Sequence, residues 1–291
     1  MTAVGLVVHQ ARAREVAERA VRLLEEAGVE IRVCRTDAEG IGLDRYAVDR
    51  DKFAAGLDFA VSLGGDGTML RTVDLVARED VPVLGVNVGQ LGYLTEVESP
   101  HVETAVRRML AGDYRISERM ILQVVVTSDG AARGSRLALN EAVLEKVSSG
   151  HLVRLAVSIN GKFFTTYAAD GVIVATPTGS TAYNFSARGP IVSPQHRCLV
   201  LTPVSPHMLF DHSLVLGPDE ELFFEITGDP AVGSEFRTAW QDRKDVPDAQ
   251  RHRQADGGVA PDLRTADHRR GGGHHPTGTA TRPGQTRLRG P

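Results

Sequence analysis

Residues 59–68 join an apolar run directly to glycines and an aspartate, and the rest of the fold can be worked out from this segment. It reads Phe59-Ala60-Val61-Ser62-Leu63-Gly64-Gly65-Asp66-Gly67-Thr68. The run Phe59–Leu63 predicts a buried strand, and the apolar spacing over Met69–Ala77 predicts a helix after it. Glycines at the carboxyl end of a parallel strand let a phosphate approach the backbone, and the N–H groups of the next helix attract anions. The stretch therefore predicts a phosphate cradle.

Asp66 lies at the centre of this cradle. A carboxylate there would repel a phosphate, so its presence needs a catalytic or binding role. It could orient a hydroxyl nucleophile, accept the proton of that hydroxyl, or help to hold Mg²⁺, and all three tasks belong to phosphoryl transfer. The alternative is that Asp66 or Thr68 only caps the helix. The flanking glycines favour the phosphate site, although the spacing matches neither the dinucleotide fingerprint nor the Walker pattern.

Strand and helix patterns alternate on both sides of the cradle. The sequence predicts strands at Val4–His9, Val29–Arg35 and Val81–Val86, and helices at Ala13–Ala27 and Val102–Leu110. This alternation predicts a mostly parallel sheet with helices on both faces. A second glycine-punctuated stretch, residues 85–94, leaves the third of these strands and is expected at the same crevice, unless it is an ordinary loop.

After about Tyr114 helical spacing almost vanishes. Strand-like runs follow at Ile121–Thr127, Leu137–Glu145, Val153–Asn160, Phe163–Tyr167, Gly171–Ala175, Leu199–Pro203 and Leu222–Thr227. Asn160-Gly161 between two of these runs predicts a hairpin, because both residue types accept positive φ. The fold class is therefore α/β plus all-β, with an N-terminal α/β domain over residues 1–113 and a mainly β domain over residues 114–240.

Two polar motifs lie within this second half. One runs from Asp170 through a strand into Thr176-Pro177-Thr178-Gly179-Ser180-Thr181-Ala182-Tyr183, where hydroxyls could hydrogen-bond a ribose or a base edge and the tyrosine offers a ring face. The other, Asn140-Glu141, places an amide and an acid in an otherwise apolar β segment, where both need partners if buried. A ribose and an adenine edge would serve, and so would neighbouring backbone.

The composition bounds the class of protein. A formal net charge of −4, with 42% apolar and 24% charged residues, is typical of a globular protein and lacks the basic balance of a nucleic-acid binder. Cys34 and Cys198 are far apart, which predicts neither a zinc site nor a disulfide framework. No apolar run approaches the roughly 20 residues of a membrane helix. We therefore expect a cytoplasmic protein with no nucleic-acid or membrane partner.

The composition breaks at residue 241. Residues 241–291 hold ten Lys and Arg against six Asp, a charge of +4, and few apolar residues. Such a segment cannot bury a core, so an atypical, disordered and solvated tail is predicted. A change of reading frame around Pro230–Trp240 is our hypothesis for its origin.

Taken together, the motifs resemble those of the NAD kinase family, whose members phosphorylate the 2′-hydroxyl of the adenosine ribose of NAD to give NADP. The resemblance covers roughly residues 4–228 and rests on Gly64–Thr68, residues 91–96, Asn140-Glu141 and Asp170 through Tyr183, in the family's order. The first motif is shared with diacylglycerol kinases and phosphofructokinases. The block Thr176–Tyr183 together with Asn140-Glu141 selects NAD kinase among them.

The resemblance implies roles for individual residues. Asp66 would orient and deprotonate the ribose hydroxyl, and because a carboxylate is a weak base we expect it to act mainly by positioning. The implied cofactor-binding residues are Gly64, Gly65, Gly67 and Thr68 around the phosphate, Asn140 and Glu141 on the adenosine, and Asp170, Thr178, Thr181, Ala182, Tyr183 and Ser186 along the dinucleotide. Arg71 is also assigned to cofactor binding. No protein ligand to a metal is assigned.

The resemblance also implies the fold, the cofactors and the assembly. It predicts a β-sandwich as the second domain, Mg²⁺ or another divalent cation with ATP or polyphosphate as phosphoryl donor, and a homodimer or homotetramer. A lipid or sugar kinase of the same superfold and a non-catalytic NAD-binding protein are the alternatives. Arg188 stands where the family usually carries glycine, which puts the local backbone or a phosphate contact in question.

Overall fold

The computed structural model describes residues 2–89, 92–128, 131–146 and 152–227, together with three strands further along the chain. Its compact units are Met1–Arg119 with Gln285–Pro291, called unit 1, and Met120–Gly284, called unit 2. The predicted domain ranges 1–113 and 114–240 stay a prediction.

Unit 1 alternates strands and helices. Its strands are β1 (Ala3–Val8), β2 (Glu30–Cys34), β3 (Ala47–Val48), β4 (Phe59–Gly64), β5 (Val83–Asn87), β6 (Val97–Glu98) and β7 (Arg115–Met120). Its helices are α1 (Arg14–Glu26), α2 (Arg35–Ala38), α3 (Arg50–Phe53), α4 (Asp66–Val76) and α5 (Val102–Leu110). Neighbouring strands in the order β3-β2-β1-β4-β5 pair in parallel, which confirms the mostly parallel sheet.

The order of these strands creates a crevice. Leu63 of β4 and Leu24 of α1 belong to the same buried cluster on one face of the sheet. Gly85 of β5 faces the other side, where the Met69 side chain of α4 lies against it. The chain therefore leaves the adjacent strands β1 and β4 towards opposite faces. Ligands of open α/β sheets bind at such a switch point, outside the carboxyl ends of the strands.

Unit 2 is built from antiparallel strands. They are β8 (Leu122–Ser128), β9 (Ala131–Ala138), β10 (Glu141–Lys146), β11 (Val153–Ile159), β12 (Lys162–Ala169), β13 (Gly171–Ala175), β14 (Leu199–Val204), β15 (Leu214–Leu216), β16 (Leu222–Ile226), β17 (Ser234–Thr238) and β18 (Asp262–Ala266). They form two sheets, ordered β15-β14-β13-β10-β17 and β12-β11-β16-β18-β8-β9. One cluster of buried residues, including Leu155, Tyr167, Val174 and Leu201, draws on both sheets. This is the predicted β-sandwich.

The Asn160-Gly161 hairpin is confirmed. It joins β11 to β12 with Ile159 opposite Lys162. Both turn residues have positive φ, 51° and 75°, as the turn type that matches the strand twist requires.

Two element boundaries were predicted wrongly. The predicted strand Leu137–Glu145 is two strands in different sheets, because the chain crosses the sandwich at Leu139 and Asn140. The predicted helix at Met69–Ala77 begins earlier, at Asp66, because the N–H groups of Thr68 and Met69 both donate to the carbonyl of Gly65.

The tail prediction falls mostly outside the described residues. Within residues 241–291 the structure describes two strands, β18 and β19 (Gln285–Gly290). β18 pairs with β16 and β8, and β19 pairs in parallel with β5. The prediction that this segment as a whole is disordered stays a prediction.

Candidate active site

The glycine-rich stretch lies where the sequence predicted it, at the carboxyl end of β4. Gly64 ends the strand, and a Cβ there would lie 2.2 Å from the Oγ1 atom of Thr68, so no side chain fits. At Gly65 and Gly67 a Cβ would meet nothing within 4 Å. The turn is therefore packed on its inner side and open on its outer side, where an anion could reach the backbone.

The Asp66 carboxylate is held by a second loop. Its Oδ2 accepts the backbone N–H of Tyr93 and its Oδ1 accepts that of Leu94, each at 3.0 Å. Gly92 approaches so closely that a Cβ there would lie 2.3 Å from Asp66 Oδ1. Since a carboxylate has about four acceptor positions, two remain for other donors. We call residues 92–94 the carboxylate clamp.

The clamp is itself tied to the sheet. The backbone N–H of Glu96 donates to the carbonyl of Gly85 at 3.2 Å. A Cβ at Gly85 would lie 3.2 Å from the Cα of Thr95, so this loop packs directly on β5. The glycine-punctuated stretch of the sequence therefore does line the cradle, as far as residues 85–89 and 92–94 are described.

Arg71 has internal partners. Its guanidinium donates to both oxygens of Asp37, at 2.7 and 2.8 Å, and to the carbonyl of Val8 at 2.9 Å. Asp37 is 1% exposed and also accepts the N–H of Val8. The ion pair is charge-assisted and buried on the acid side, so it fixes α4 against the end of β1. The structure gives the Arg71 side chain this role within unit 1.

In unit 2, Asn140 and Glu141 lie where the chain enters β10. The N–H of Thr176 donates to the Asn140 carbonyl at 2.8 Å, and a Cβ at Gly179 would lie 2.0 Å from that carbonyl oxygen. Asn140 Oδ1 and Glu141 Oε2 are buried without a hydrogen-bond partner among the described residues. Buried acceptors without donors cost stability, so these atoms suit a ligand that carries N–H or O–H groups.

Acidic side chains gather around Tyr183. Burial raises the pKa of Glu141 to about 7, while a hydrogen bond from the backbone of Tyr183 acts in the opposite direction. The pKa of Tyr183 is also raised, first by burial and then by the charges of Glu145, Asp170 and Glu141. Asp170 in turn forms an ion pair with Lys146. The structure thus brings together Glu141, Asp170 and Tyr183 of the predicted set.

The segment that follows, residues 176–186, uses its polar groups largely within unit 2. Ser180 Oγ accepts the N–H of Val192 at 2.9 Å and donates to the Pro177 carbonyl at 2.7 Å. Asn184 is 0% exposed; it donates to the carbonyls of Ser180 and Pro190 and accepts from Thr202. Of the predicted ligand residues here, Thr178 is buried, Ala182 is half-buried, and Thr181, Tyr183 and Ser186 are exposed.

Arg188 adopts a backbone conformation that favours glycine. Its φ is 64°, in the left-handed region that L residues other than Gly, Asn and Asp rarely enter. Its N–H donates to the Phe185 carbonyl at 3.0 Å, which closes the turn after α6 (Tyr183–Ser186). The departure from the family pattern at this position therefore carries a backbone cost.

Sequence reasoning missed three residues of these regions: Asp37, Arg12 and Asn184. Asp37 and Asn184 are buried polar residues within short helical or irregular segments, where no periodic pattern marks them. Arg12 lies in the loop after β1, and its guanidinium Nη1 lies 3.7 Å from the position of a Cβ on Gly89. A lone basic residue in a loop carried no signal that could separate it from an ordinary exposed charge.

A parallel sheet with a glycine cradle and a held carboxylate, followed by an antiparallel sandwich, is an arrangement suited to a phosphotransferase. Two family models match it: the ATP-NAD kinase N-terminal domain over residues 4–114 and the ATP-NAD kinase C-terminal domain over residues 139–235. The chain belongs to the NAD kinase family. The second match ends at residue 235, inside the interval Pro230–Trp240 given above for the hypothesised change of reading frame.

Relatives agree with this assignment. The chain is 42% identical over 222 residues to an NAD kinase of Heliobacterium modesticaldum, covering 76% of this chain and 78% of the relative. It is 36% identical over 247 residues to an NAD kinase of Nocardia farcinica, covering 78% and 76%. The alternatives of a lipid or sugar kinase are not favoured by these matches.

Solved structures share the fold. A yeast NADH kinase complexed with NADH superposes with a TM-score of 0.83 at 23% identity, covering 100% of this chain and 84% of the other. An NAD kinase from Archaeoglobus fulgidus in complex with ATP gives a TM-score of 0.63 at 22% identity, covering 91% of each chain. Among the described residues no helix is both long and apolar enough to cross a membrane.

Proposed function

We propose that Asp66 is the catalytic residue of the NAD kinase reaction in this chain, with ATP as the phosphoryl donor. The observation that carries the proposal is the carboxylate clamp: the backbone of residues 92–94 fixes both oxygens of Asp66 beside an open glycine cradle. A fixed carboxylate with vacant acceptor positions can orient a hydroxyl towards a phosphorus atom.

In the proposed reaction the ribose 2′-oxygen attacks the terminal phosphorus of the donor. The new O–P bond forms as the bond to the leaving phosphate oxygen breaks, and the 2′-hydroxyl proton passes to Asp66 late in the step and then to water. Transition states of this kind are loose, so positioning and charge stabilisation supply most of the rate. The backbone N–H groups at the start of α4 would stabilise the donor phosphates.

Mg²⁺ fits the residues present as a cation that arrives on the donor. Among the described residues no group of three or more His, Cys, Asp or Glu side chains is placed to hold a metal ion. Mg²⁺ commonly keeps several waters and binds one or two carboxylates together with substrate phosphates. Asp66 is the carboxylate of the cradle, and bound Mg²⁺ would neutralise charge on the donor phosphates.

We further propose that unit 2 holds the acceptor dinucleotide. Asn140 Oδ1 and Glu141 Oε2 are buried acceptors that a ligand with N–H or O–H donors would satisfy. Exposed Thr181, Tyr183 and Ser186, together with Thr178, Ala182 and Asp170, complete the proposed set. Adenosine supplies both an amine and ribose hydroxyls, which matches this chemistry.

The test is an NADP-forming assay with NAD and Mg²⁺, with ATP or polyphosphate as donor, on the parent and on Asp66→Asn. We expect the substitution to lower kcat by more than about tenfold, which is about 1.4 kcal/mol in barrier, with the KM for NAD changed less than twofold. Asp113→Asn, which removes an exposed acid paired with Arg108, is the matched control. Turnover of Asp66→Asn close to the parent rate would refute the role of Asp66. Saturable NAD binding by a parent that makes no NADP would favour the non-catalytic alternative.

The proposal also includes a cytoplasmic homodimer or homotetramer, as the family resemblance implies. Light scattering coupled to size exclusion would give the subunit number directly. A monomer at assay concentration, with full activity, would contradict the oligomeric part and leave the proposed chemistry untouched.

A further inference from the structure

The loop after β1 carries a cation to the edge of the sheet where the cradle opens. Arg12 follows β1 in a turn closed by hydrogen bonds from the N–H groups of Arg12 and Ala13 to the His9 carbonyl, at 3.1 and 2.9 Å. Its side chain is exposed. Its Nη1 reaches a point 3.7 Å from a Cβ position on Gly89, which lies after β5.

The strand order places the carboxyl end of β4 between Arg12 and Gly89. β4 lies between β1 and β5. Hydrogen bonds continue on both flanks of its carboxyl end: the His9 N–H donates to the Leu63 carbonyl, and the Val88 N–H donates to the Gly64 carbonyl. A side chain rooted after β1 that reaches Gly89 therefore spans the end of β4, where Gly64 and Gly65 begin the cradle.

The two arginines near this edge differ in what they bind. Arg71 donates three hydrogen bonds, two to the Asp37 carboxylate and one to the Val8 carbonyl. Arg12 makes no side-chain hydrogen bond or ion pair with any residue in the described part of the chain. A guanidinium has five N–H donors in a planar fork that matches phosphate oxygens. The guanidinium donors of Arg12 are therefore available to a phosphate at the switch-point crevice.

We propose that Arg12 binds the phosphate chain of the phosphoryl donor. The inference rests on the proposed function, because it needs donor phosphates in the Gly64–Thr68 cradle. Arg12 follows β1 and the cradle follows β4, and these two adjacent strands define the crevice. Arg12 offers a cation there, and the cradle offers backbone N–H groups. The shared ligand chemistry is a phosphoanhydride chain, as in a nucleoside triphosphate or inorganic polyphosphate.

The first test is steady-state kinetics of the full chain with NAD and Mg²⁺ and with ATP or polyphosphate varied. Losing a charge-assisted contact should raise the donor KM of Arg12→Ala about tenfold or more for both donors, with the NAD KM changed less than twofold. Arg12→Lys should recover part of the loss, since it keeps the charge and loses the fork. Arg14→Ala is the matched control, because Arg14 is 62% exposed and pairs with Glu18 on α1; it should leave every constant unchanged.

A second test does not depend on turnover. Inorganic tripolyphosphate should raise the melting temperature of the parent and raise that of Arg12→Ala much less. This arm also separates the two proposals, since a parent that binds tripolyphosphate but forms no NADP contradicts the proposed function alone. The inference is overturned by a donor KM for Arg12→Ala within twofold of the parent, by a rise in the NAD KM instead, by an equal loss in Arg14→Ala, or by unchanged tripolyphosphate binding.

Discussion

The glycine-rich turn of unit 1 and the hydroxyl-rich segment of unit 2 each follow a buried apolar strand, and they are built differently. In Gly64–Thr68 the outer glycines Gly65 and Gly67 face open space, and the one acidic side chain is held from outside by residues 92–94. In residues 176–186 the polar side chains bond mainly to their own segment and to nearby backbone, with Ser180 and Asn184 fully buried.

The difference separates two ways of using polar residues. The first region leaves backbone donors for a ligand, so its residues should matter for activity more than for stability. In the second region most polar side chains form hydrogen bonds within the segment or to nearby backbone. Substituting its buried residues should therefore lower stability more than it lowers activity directly. Substitutions chosen in each region can test this division.

The largest expected effect is in the hydroxyl-rich segment. Asn184→Ala removes the donors to the Ser180 and Pro190 carbonyls and the acceptor for Thr202. Because the buried residues Ser180 and Thr202 lose these hydrogen bonds, the free energy of unfolding should fall by about 3 kcal/mol. Denaturant unfolding measures it, with Ser193→Ala, at a residue that is exposed, as control. A loss below about 1 kcal/mol would contradict the structural role assigned to this segment.

A pH effect comes next. The pKa of Glu141 is raised from 4.5 to about 7, so the folded state binds its proton more tightly than the unfolded state does. This contribution to stability is full below pH 4.5 and is lost as the pH rises through about 7. Glu141→Gln should therefore gain stability over the parent as the pH rises across this window, by on the order of 3 kcal/mol.

Thermal unfolding of both proteins without ligand, from pH 4.5 to pH 8, measures this gap. A constant difference between parent and Glu141→Gln at every pH would mean that Glu141 does not titrate in this range.

In the glycine-rich region Gly92→Ala should act on turnover. A Cβ at this position would lie 2.3 Å from Asp66 Oδ1, so the carboxylate or the clamp must shift. We expect kcat to fall about fivefold, or roughly 1 kcal/mol in barrier, with little change in melting temperature. In an Asp66→Asn background the same substitution should cost less than twofold, because the group on which it acts has already been altered.

Gly134→Ala is the matched control, since a Cβ there meets nothing within 4 Å. Equal losses from Gly92→Ala in both backgrounds would show that the loop acts independently of Asp66.

The smallest effect is a gain. Arg188→Gly should raise the free energy of unfolding by about 1 kcal/mol, because glycine accepts a φ of 64° without the penalty of a Cβ. Arg188→Ala separates this backbone effect from the loss of the side chain, since alanine keeps the strain. Equal stability of the two variants would refute the backbone explanation.

Much of the fold was predictable from local patterns. The run Phe59–Leu63, the turn at Asn160-Gly161 and the change of period near Tyr114 each follow from short-range preferences of φ and of apolar spacing. The single strand predicted at Leu137–Glu145 was wrong, because its two ends pair in different sheets. Which sheet a strand joins is decided by partners far along the chain.

The two-part fold class, the glycine cradle with Asp66 and the family could all be predicted, because each follows from runs of neighbouring residues. Three long-range contacts could not: backbone 27 and 28 residues away holds Asp66, Arg71 pairs with Asp37 34 residues away, and Arg12 is the arginine that reaches across the sheet edge. The physical reason is that spacing along the chain encodes the faces of single strands and helices. The strand order β1-β4-β5, which brings distant loops to one edge, is a property of the folded sheet.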